Sequence, residues 1–321
     1  MPVLQNILDG HCEKKLNKEH SGNNLLINLV KKIKFNGFDK IEKTKKYPWK
    51  IIYKLIKNKN RFSTIFLLNN NNIAFTYNNS IIREIDHLIK EINFNNFPEH
   101  FNIDIGHGSI KGYIALSVLY ALKTKNFTIE KIKGTSSGSW CGLYYFSNIP
   151  LNMLICIYNT PDYKDRYLLQ GFNKYINDYF FSILADDFYL QCNNKLFIHY
   201  SVLNKNGVMS KIASNYSSNQ DLIHFCMGSS SIPYITIPSF CYKYKDEYIV
   251  DGAFTVDNEN FKNDIPTLQI KCNLYHDSLK SHNLYCMCQK NINYLLLLGL
   301  KEFIQFSKGN KSEFFSWKHK I

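Results

Sequence analysis

Between residues 101 and 146 the chain passes twice through the same succession: an apolar run, a turn rich in glycine and serine, and an apolar stretch of helical character. Phe101 to Ile105 reads as a strand, Gly106 to Gly112 as a glycine loop and Tyr113 to Leu122 as a helix. Phe127 to Lys133 is the next strand, and Ser137 to Phe146 the next helix. Strands that alternate with helices of this length can lie parallel, because each helix carries the chain back to the start of the sheet. The expected fold class is therefore α/β. Further on, Leu196 to Leu203 and Val208 to Ala213 read as strands joined through Asn204-Lys205-Asn206-Gly207. Asp221 to Met227 reads as a short helix, Pro266 to Cys272 as a late strand, and Asn291 to Phe306 as a helix whose leucines pack on the sheet.

The second of the two turns is Gly134-Thr135-Ser136-Ser137-Gly138, a G-x-S-x-G match placed between a strand and a helix. That is where a nucleophile elbow has to sit. Such a turn lifts a serine Oγ out of the sheet by holding its backbone in a strained conformation, and only small flanking residues such as Gly134 and Gly138 avoid a clash there. The amides that open the next helix then point at a developing oxyanion.

The first turn, Asp104-Ile105-Gly106-His107-Gly108-Ser109-Ile110-Lys111-Gly112, also follows a strand and opens a helix. Its backbone amides can face an anion or an oxyanion. The last glycine falls one residue late for the dinucleotide fingerprint G-x-G-x-x-G, and the G-K-[ST] ending of a P-loop is missing. Phosphate binding is the second reading of this loop alone.

A third element is Val250-Asp251-Gly252-Ala253, preceded by Ser229-Ser230-Ser231-Ile232-Pro233. A glycine-rich loop, G-x-S-x-G, S-x-x-I-P and D-G-[AG], in that order, resemble the patatin-like phospholipase family across roughly residues 101 to 270. The resemblance implies a three-layer fold with a central, mostly parallel sheet flanked by helices. It also implies a serine lipid acyl hydrolase of phospholipase A type. Ser136 would be the nucleophile and Asp251 its general base, with no histidine needed. Gly108, Ser109 and Ser137 would form the oxyanion hole, and Gly106, Lys111, Gly112, Gly134, Gly138, Gly252 and Ala253 complete the motifs. The family's loop commonly reads D-G-G-G-x-[RK]-G. Here His107 and Ser109 stand where glycines are common, and a side chain restricts φ at both positions. Asn258 follows without the proline that the family often has after it, and is given no role.

The implied chemistry is acyl transfer. Asp251 takes the Ser136 proton as Oγ attacks an ester carbonyl, backbone amides hold the oxyanion, and water releases the acyl group. Read from the residues alone, a Ser136–Asp251–histidine triad with His276 or His282 is the alternative, since it keeps the chain order of α/β-hydrolases. His199 lies in an apolar strand, where a histidine is more often structural. A catalytically impaired, membrane-binding descendant of such an enzyme is a further alternative, because fold does not guarantee function.

Residues 1 to 95 are rich in Lys and Asn and poor in Gly, and are read as a basic N-terminal extension to a 96 to 321 hydrolase domain. In it, Leu25 to Lys34 and Trp49 to Lys57 look like basic amphipathic helices. Arg61 to Leu68 and Ile73 to Tyr77 read as a hairpin around Asn69 to Asn72. Ile81, Ile82, Ile85, Leu88, Ile89 and Ile92 form a core-facing helical stripe.

The formal charge of +13 favours anionic partners. Only Arg61, Arg83 and Arg166 are arginines. A lysine-dominated charge suits a membrane surface better than base-specific reading, so no specific nucleic acid is expected. The expected partners are a membrane phospholipid or other acyl-ester lipid as substrate, and an anionic membrane surface.

Nine cysteines in no repeating frame suggest reduced thiols. Cys286 and Cys288, with His276 and His282 nearby, lack finger or ribbon spacing, so neither a metal nor a cofactor is expected. The start lacks a basic region followed by an apolar one, and Tyr294 to Leu300 is far too short to span a bilayer. The expected location is cytoplasmic, peripheral on membranes.

Overall fold

A computed structural model describes residues 74–156, 181, 184–255, 265–272 and 289–318, which lie within the compact unit of residues 66–204 and 208–321 apart from the hairpin tip at 205–207. In chain order the elements are α1 (Ala74–Ile89), β1 (His100–Ile105), α2 (Gly112–Thr124), β2 (Thr128–Thr135), α3 (Ser137–Phe146), α4 (Leu151–Cys156), α5 (Phe188–Cys192), β3 (Leu196–Asn204), β4 (Gly207–Ala213), α6 (Asn219–Ser229), β5 (Tyr242–Tyr244), β6 (Glu247–Val250), β7 (Thr267–Ile270), α7 (Gln289–Ser307) and β8 (Phe315–Lys318).

The strands form one mixed sheet in the order β5-β6-β3-β2-β1-β7-β8, with β4 pairing β3 off this path. Its centre is parallel: β1 pairs with β2 and β7, and β2 with β3. The outer strands β6, β5 and β8 run antiparallel to their neighbours. Parallel strands are covered on both faces and so read as nearly continuous apolar runs. Phe101, Ile103 and Ile105 of β1 are fully buried, as are Leu196 and Ile198 of β3. Asp104, the charged member of β1, meets Lys133 of β2 at 3.5 Å and Lys318 of β8 at 3.2 Å. That one acidic side chain of β1 is thus held between two lysines.

Helices flank the sheet. α3 packs against β2 and β3, and α6 against β3. On α2 almost every residue from Gly112 to Leu122 is buried, as expected for a helix covered on all sides. One of its covers is α7, whose Gly299 lies so close that an added Cβ would stand 2.6 Å from the Ile114 carbonyl oxygen. The apolar face of α7, with Leu295, Leu296, Leu300 and Phe303, belongs to the core.

The core begins at α1, within the stretch read as an N-terminal extension. α1 packs on α7 and α4, and buries Ile81, Ile85 and Ile89. The isoleucine stripe thus does what its spacing predicts. Of the strand read at Ile73 to Tyr77, Ala74 to Tyr77 are helical, because Ala74 already starts the helix, and Ile73 lies outside the described residues. Once that stripe anchors the helix, adding residues at its N-terminus gains one hydrogen bond each. Leu25 to Lys34, Trp49 to Lys57 and Arg61 to Asn72 lie outside the described residues, as do His276, His282, Cys286 and Cys288. Among the described residues no helix is long and apolar enough to cross a membrane.

Candidate active site

β2 ends at Thr135, and α3 starts at Ser137. The residue between them, Ser136, has φ 56° and ψ −123°. No ordinary L-residue region holds that combination, so Ser136 carries backbone strain of about 1–3 kcal/mol. The turn closes because its flanks lack side chains. A Cβ on Gly134 would stand 2.4 Å from the Gly138 carbonyl oxygen, and one on Gly138 would stand 2.5 Å from the Ile105 carbonyl oxygen. A serine at a helix N-cap ordinarily spends its hydroxyl on the helix amides. Ser136 occupies the N-cap of α3, but its side chain makes no such bond.

The hydroxyl goes instead to Asp251. Oγ of Ser136 donates to Oδ2 of Asp251 at 2.6 Å. Asp251 follows β6 directly, and its other oxygen, Oδ1, accepts the Ala253 N–H at 2.8 Å. Both residues are withdrawn from water, Ser136 at 5 % and Asp251 at 1 % exposure. Burial without a countercharge pushes the Asp251 carboxyl up to about 7, although the Ser136 and Ala253 donors pull the other way. Among the described residues no histidine meets this carboxylate, and the His276 and His282 of the triad alternative lie outside them.

Strand order explains the meeting. β6 and β2 lie on opposite sides of β3, so β3 separates the strand that delivers Asp251 from the strand that delivers Ser136. Thr135 pairs with His199 in the parallel register, and Val250 pairs with Ser201 in the antiparallel one. Gly252 then crosses so close to β3 that a Cβ would stand 2.4 Å from the His199 carbonyl oxygen.

The Ser229 to Pro233 segment holds both catalytic candidates by their backbones. The Ser136 N–H donates to Ser229 Oγ at 2.8 Å, and that hydroxyl donates to the His199 carbonyl at 2.7 Å. The Asp251 N–H donates to the Ser231 carbonyl at 2.9 Å. Ser230 Oγ accepts the Trp140 indole N–H at 2.9 Å, which ties the segment to α3. These roles were not assigned from the sequence. The run of serines was visible as a motif, but a partner 93 residues away was not.

The glycine loop comes to the same place from the other side. Gly112 faces Ser137, where a Cβ would stand 2.9 Å from the Ser137 Cβ. The Ser137 hydroxyl is buried with no hydrogen-bond partner among the described residues, and its N–H, as the first of α3, has no acceptor within the helix. Neither Gly108 nor Ser109 gives its N–H to a backbone carbonyl among the described residues. Gly108 lies against Cys272, where an added Cβ would overlap that residue's Cβ at 2.3 Å. Ser109, where the family commonly has glycine, sits at φ 50°. His107 is not among the residues at positive φ. Gly106 is looser, with 3.6 Å to the nearest atom an added Cβ would meet.

Lys111, within the loop, is fully buried, and burial lowers its ammonium to about 8. Cys141 Sγ donates to the Gly112 carbonyl at 3.3 Å. Cys141 and Cys272 are free thiols that burial pushes up, Cys272 to about 12. They act as small apolar fillers.

A comparison with models of protein families finds no match, and a search of curated proteins finds no significant one.

Proposed function

We propose that this protein is a serine acyl hydrolase of patatin-like kind, which cleaves ester bonds of lipids through a Ser136–Asp251 dyad. The observation that carries the reading is the 2.6 Å bond from Ser136 Oγ to Asp251 Oδ2 at a strained strand-to-helix turn. A surface serine gains nothing from such a backbone, whereas a nucleophile needs it to present Oγ.

In this reading Asp251 accepts the Ser136 proton as Oγ bonds to the ester carbonyl carbon, and the carbonyl π electrons move to oxygen. The N–H groups of Gly108, Ser109 and Ser137 are the donors for that oxyanion. As the carbonyl re-forms, the C–O bond to the alcohol breaks, and the alcohol leaves with the proton from Asp251. Water then repeats the cycle on the acyl-enzyme and frees the carboxylic acid. A base near pKa 7 suits this work at neutral pH, being partly ionised and still able to hold the proton. The lipid class of the substrate rests on the resemblance of the four ordered motifs.

The test is steady-state hydrolysis of a short-chain nitrophenyl ester and of phospholipid vesicles by the full chain, Ser136→Ala and Asp251→Asn. Turnover that both substitutions abolish supports the dyad. Turnover that survives Ser136→Ala removes it.

A further inference from the structure

We infer that His199 is a positioning residue that locks the nucleophile-bearing and base-bearing strands together across β3. The inference rests on the Ser136–Asp251 reading and adds a part to it. His199 is 1 % exposed, and its ring lies among hydroxyls. Nδ1 meets Thr135 Oγ1 at 3.2 Å, and Nε2 meets Ser210 Oγ at 2.9 Å and Thr255 Oγ1 at 3.2 Å. Thr135 immediately precedes the nucleophile. Thr255 closes the turn Gly252–Phe254 that follows the base. One imidazole therefore bonds the segment entering the elbow and the segment leaving Asp251.

The backbone of the same residue does the like. Its carbonyl accepts from Ser229 Oγ, the group that holds the Ser136 N–H, and it is also the atom against which Gly252 packs. Ser201, two residues on, bonds Thr255 Oγ1 at 2.9 Å. The two catalytic candidates are delivered by strands that do not touch each other. Their 2.6 Å bond therefore depends on their common hold on β3, beside the backbone bonds to Ser229 and Ser231. A ring with a nitrogen at each end spans that gap, which an apolar side chain of similar size would fill without bonding either side. His199 is not the base, because Asp251 already receives the Ser136 hydroxyl and the ring is spent on Thr135, Ser210 and Thr255.

The experiment measures kcat and KM on p-nitrophenyl butyrate for the full chain, His199→Ala, His199→Gln, Thr135→Val and the His199→Ala/Thr135→Val double variant, with Ser136→Ala as control. Misplacement of a dyad costs rate rather than substrate affinity, so His199→Ala should lower kcat by about 100-fold with KM unchanged. His199→Gln, which keeps a donor and an acceptor, should recover part of the loss. Thr135→Val should lower kcat in the wild-type chain and have no further effect in His199→Ala, because it breaks a bond already gone. An unchanged kcat in His199→Ala, or an equal Thr135→Val effect in both backgrounds, overturns the proposal. Should His199→Ala fail to fold, Thr135→Val and Thr255→Val are read alone, each expected to lower kcat by about 10-fold. No effect in either overturns the proposal. A wild-type chain without Ser136-dependent turnover overturns the dyad reading and this proposal with it. Ser136-dependent turnover that survives His199→Ala overturns this proposal only.

Discussion

Ser136 and Asp251 are separated by 115 residues of chain and joined by one hydrogen bond, 2.6 Å from Oγ to Oδ2, inside a site that water hardly reaches. Asparagine at 251 would keep the size and the Ala253 contact but could not take a proton at neutral pH. Asp251→Asn is expected to lower kcat by about 10²–10⁴-fold with the fold intact, as read by circular dichroism and ester turnover.

The same carboxyl sets a pH dependence. The unfolded group ionises near 3.8, and the folded one near 7 because burial disfavours its charge. For catalysis the base must be ionised, so kcat/KM should rise about tenfold per pH unit below 7 and level off above it. For stability the sign is opposite. Between these two values the unfolded chain has released a proton that the folded chain still holds, so this group's contribution to stability falls as pH rises through the window. Above about 7 the folded chain carries a buried charge. Asp251→Asn should therefore raise the melting temperature at pH 8 and change it far less at pH 4. An equal shift at both would contradict the buried-carboxylate account.

Strain at the elbow makes a separate prediction. Alanine at 136 keeps the Cβ that is unfavourable at φ 56°, and glycine removes it. Both variants should be inactive, and Ser136→Gly should be the more stable by about 1 kcal/mol in urea unfolding.

In the glycine loop the four positions should respond differently. Ser109→Gly relieves a left-handed φ and should stabilise by less than about 1 kcal/mol with activity kept. His107→Gly relieves no such strain and should not stabilise. Gly106→Ala meets only ordinary contacts and should be tolerated, whereas Gly108→Ala collides with Cys272 and should abolish turnover. If Gly108→Ala kept full activity, the loop would not be the oxyanion donor.

Ser229 offers a test of the segment that holds the elbow. Ser229→Ala leaves the buried Ser136 N–H without its acceptor, at a cost of about 1–3 kcal/mol by thermal unfolding, and kcat should fall with it.

Much of this site was legible in the sequence because it is built from contiguous motifs. The Ser137 to Phe146 helix, the strand before it and the glycine loop were all set by apolar runs and the small residues between them. The pairing of Ser136 with Asp251 was implied by motif order, and the register of β2, β3 and β6 supplies its physical cause. What stayed hidden depends on approach across the fold. Nothing near Ser229 says that its hydroxyl will meet an amide at 136, and nothing near Thr255 says that it will reach His199. Short elements were also missed. Phe188–Cys192 is too brief to show a helical period, and the Tyr242–Tyr244 and Glu247–Val250 hairpin mixes tyrosine and lysine without clear alternation. Ala74 to Tyr77, read as part of a strand, are helical because a local β-like composition is overruled by the isoleucine stripe that follows it.

The central claim is that Ser136 is a nucleophile activated by Asp251, and a fluorophosphonate tests it without knowledge of the lipid substrate. The full chain, Ser136→Ala and Asp251→Asn would be incubated with the probe, and the adduct located by peptide mass spectrometry. The account predicts a single adduct on the peptide that contains Ser136, absent in Ser136→Ala and formed far more slowly in Asp251→Asn. Labelling that persists in Ser136→Ala, or that proceeds at the wild-type rate in Asp251→Asn, would contradict it.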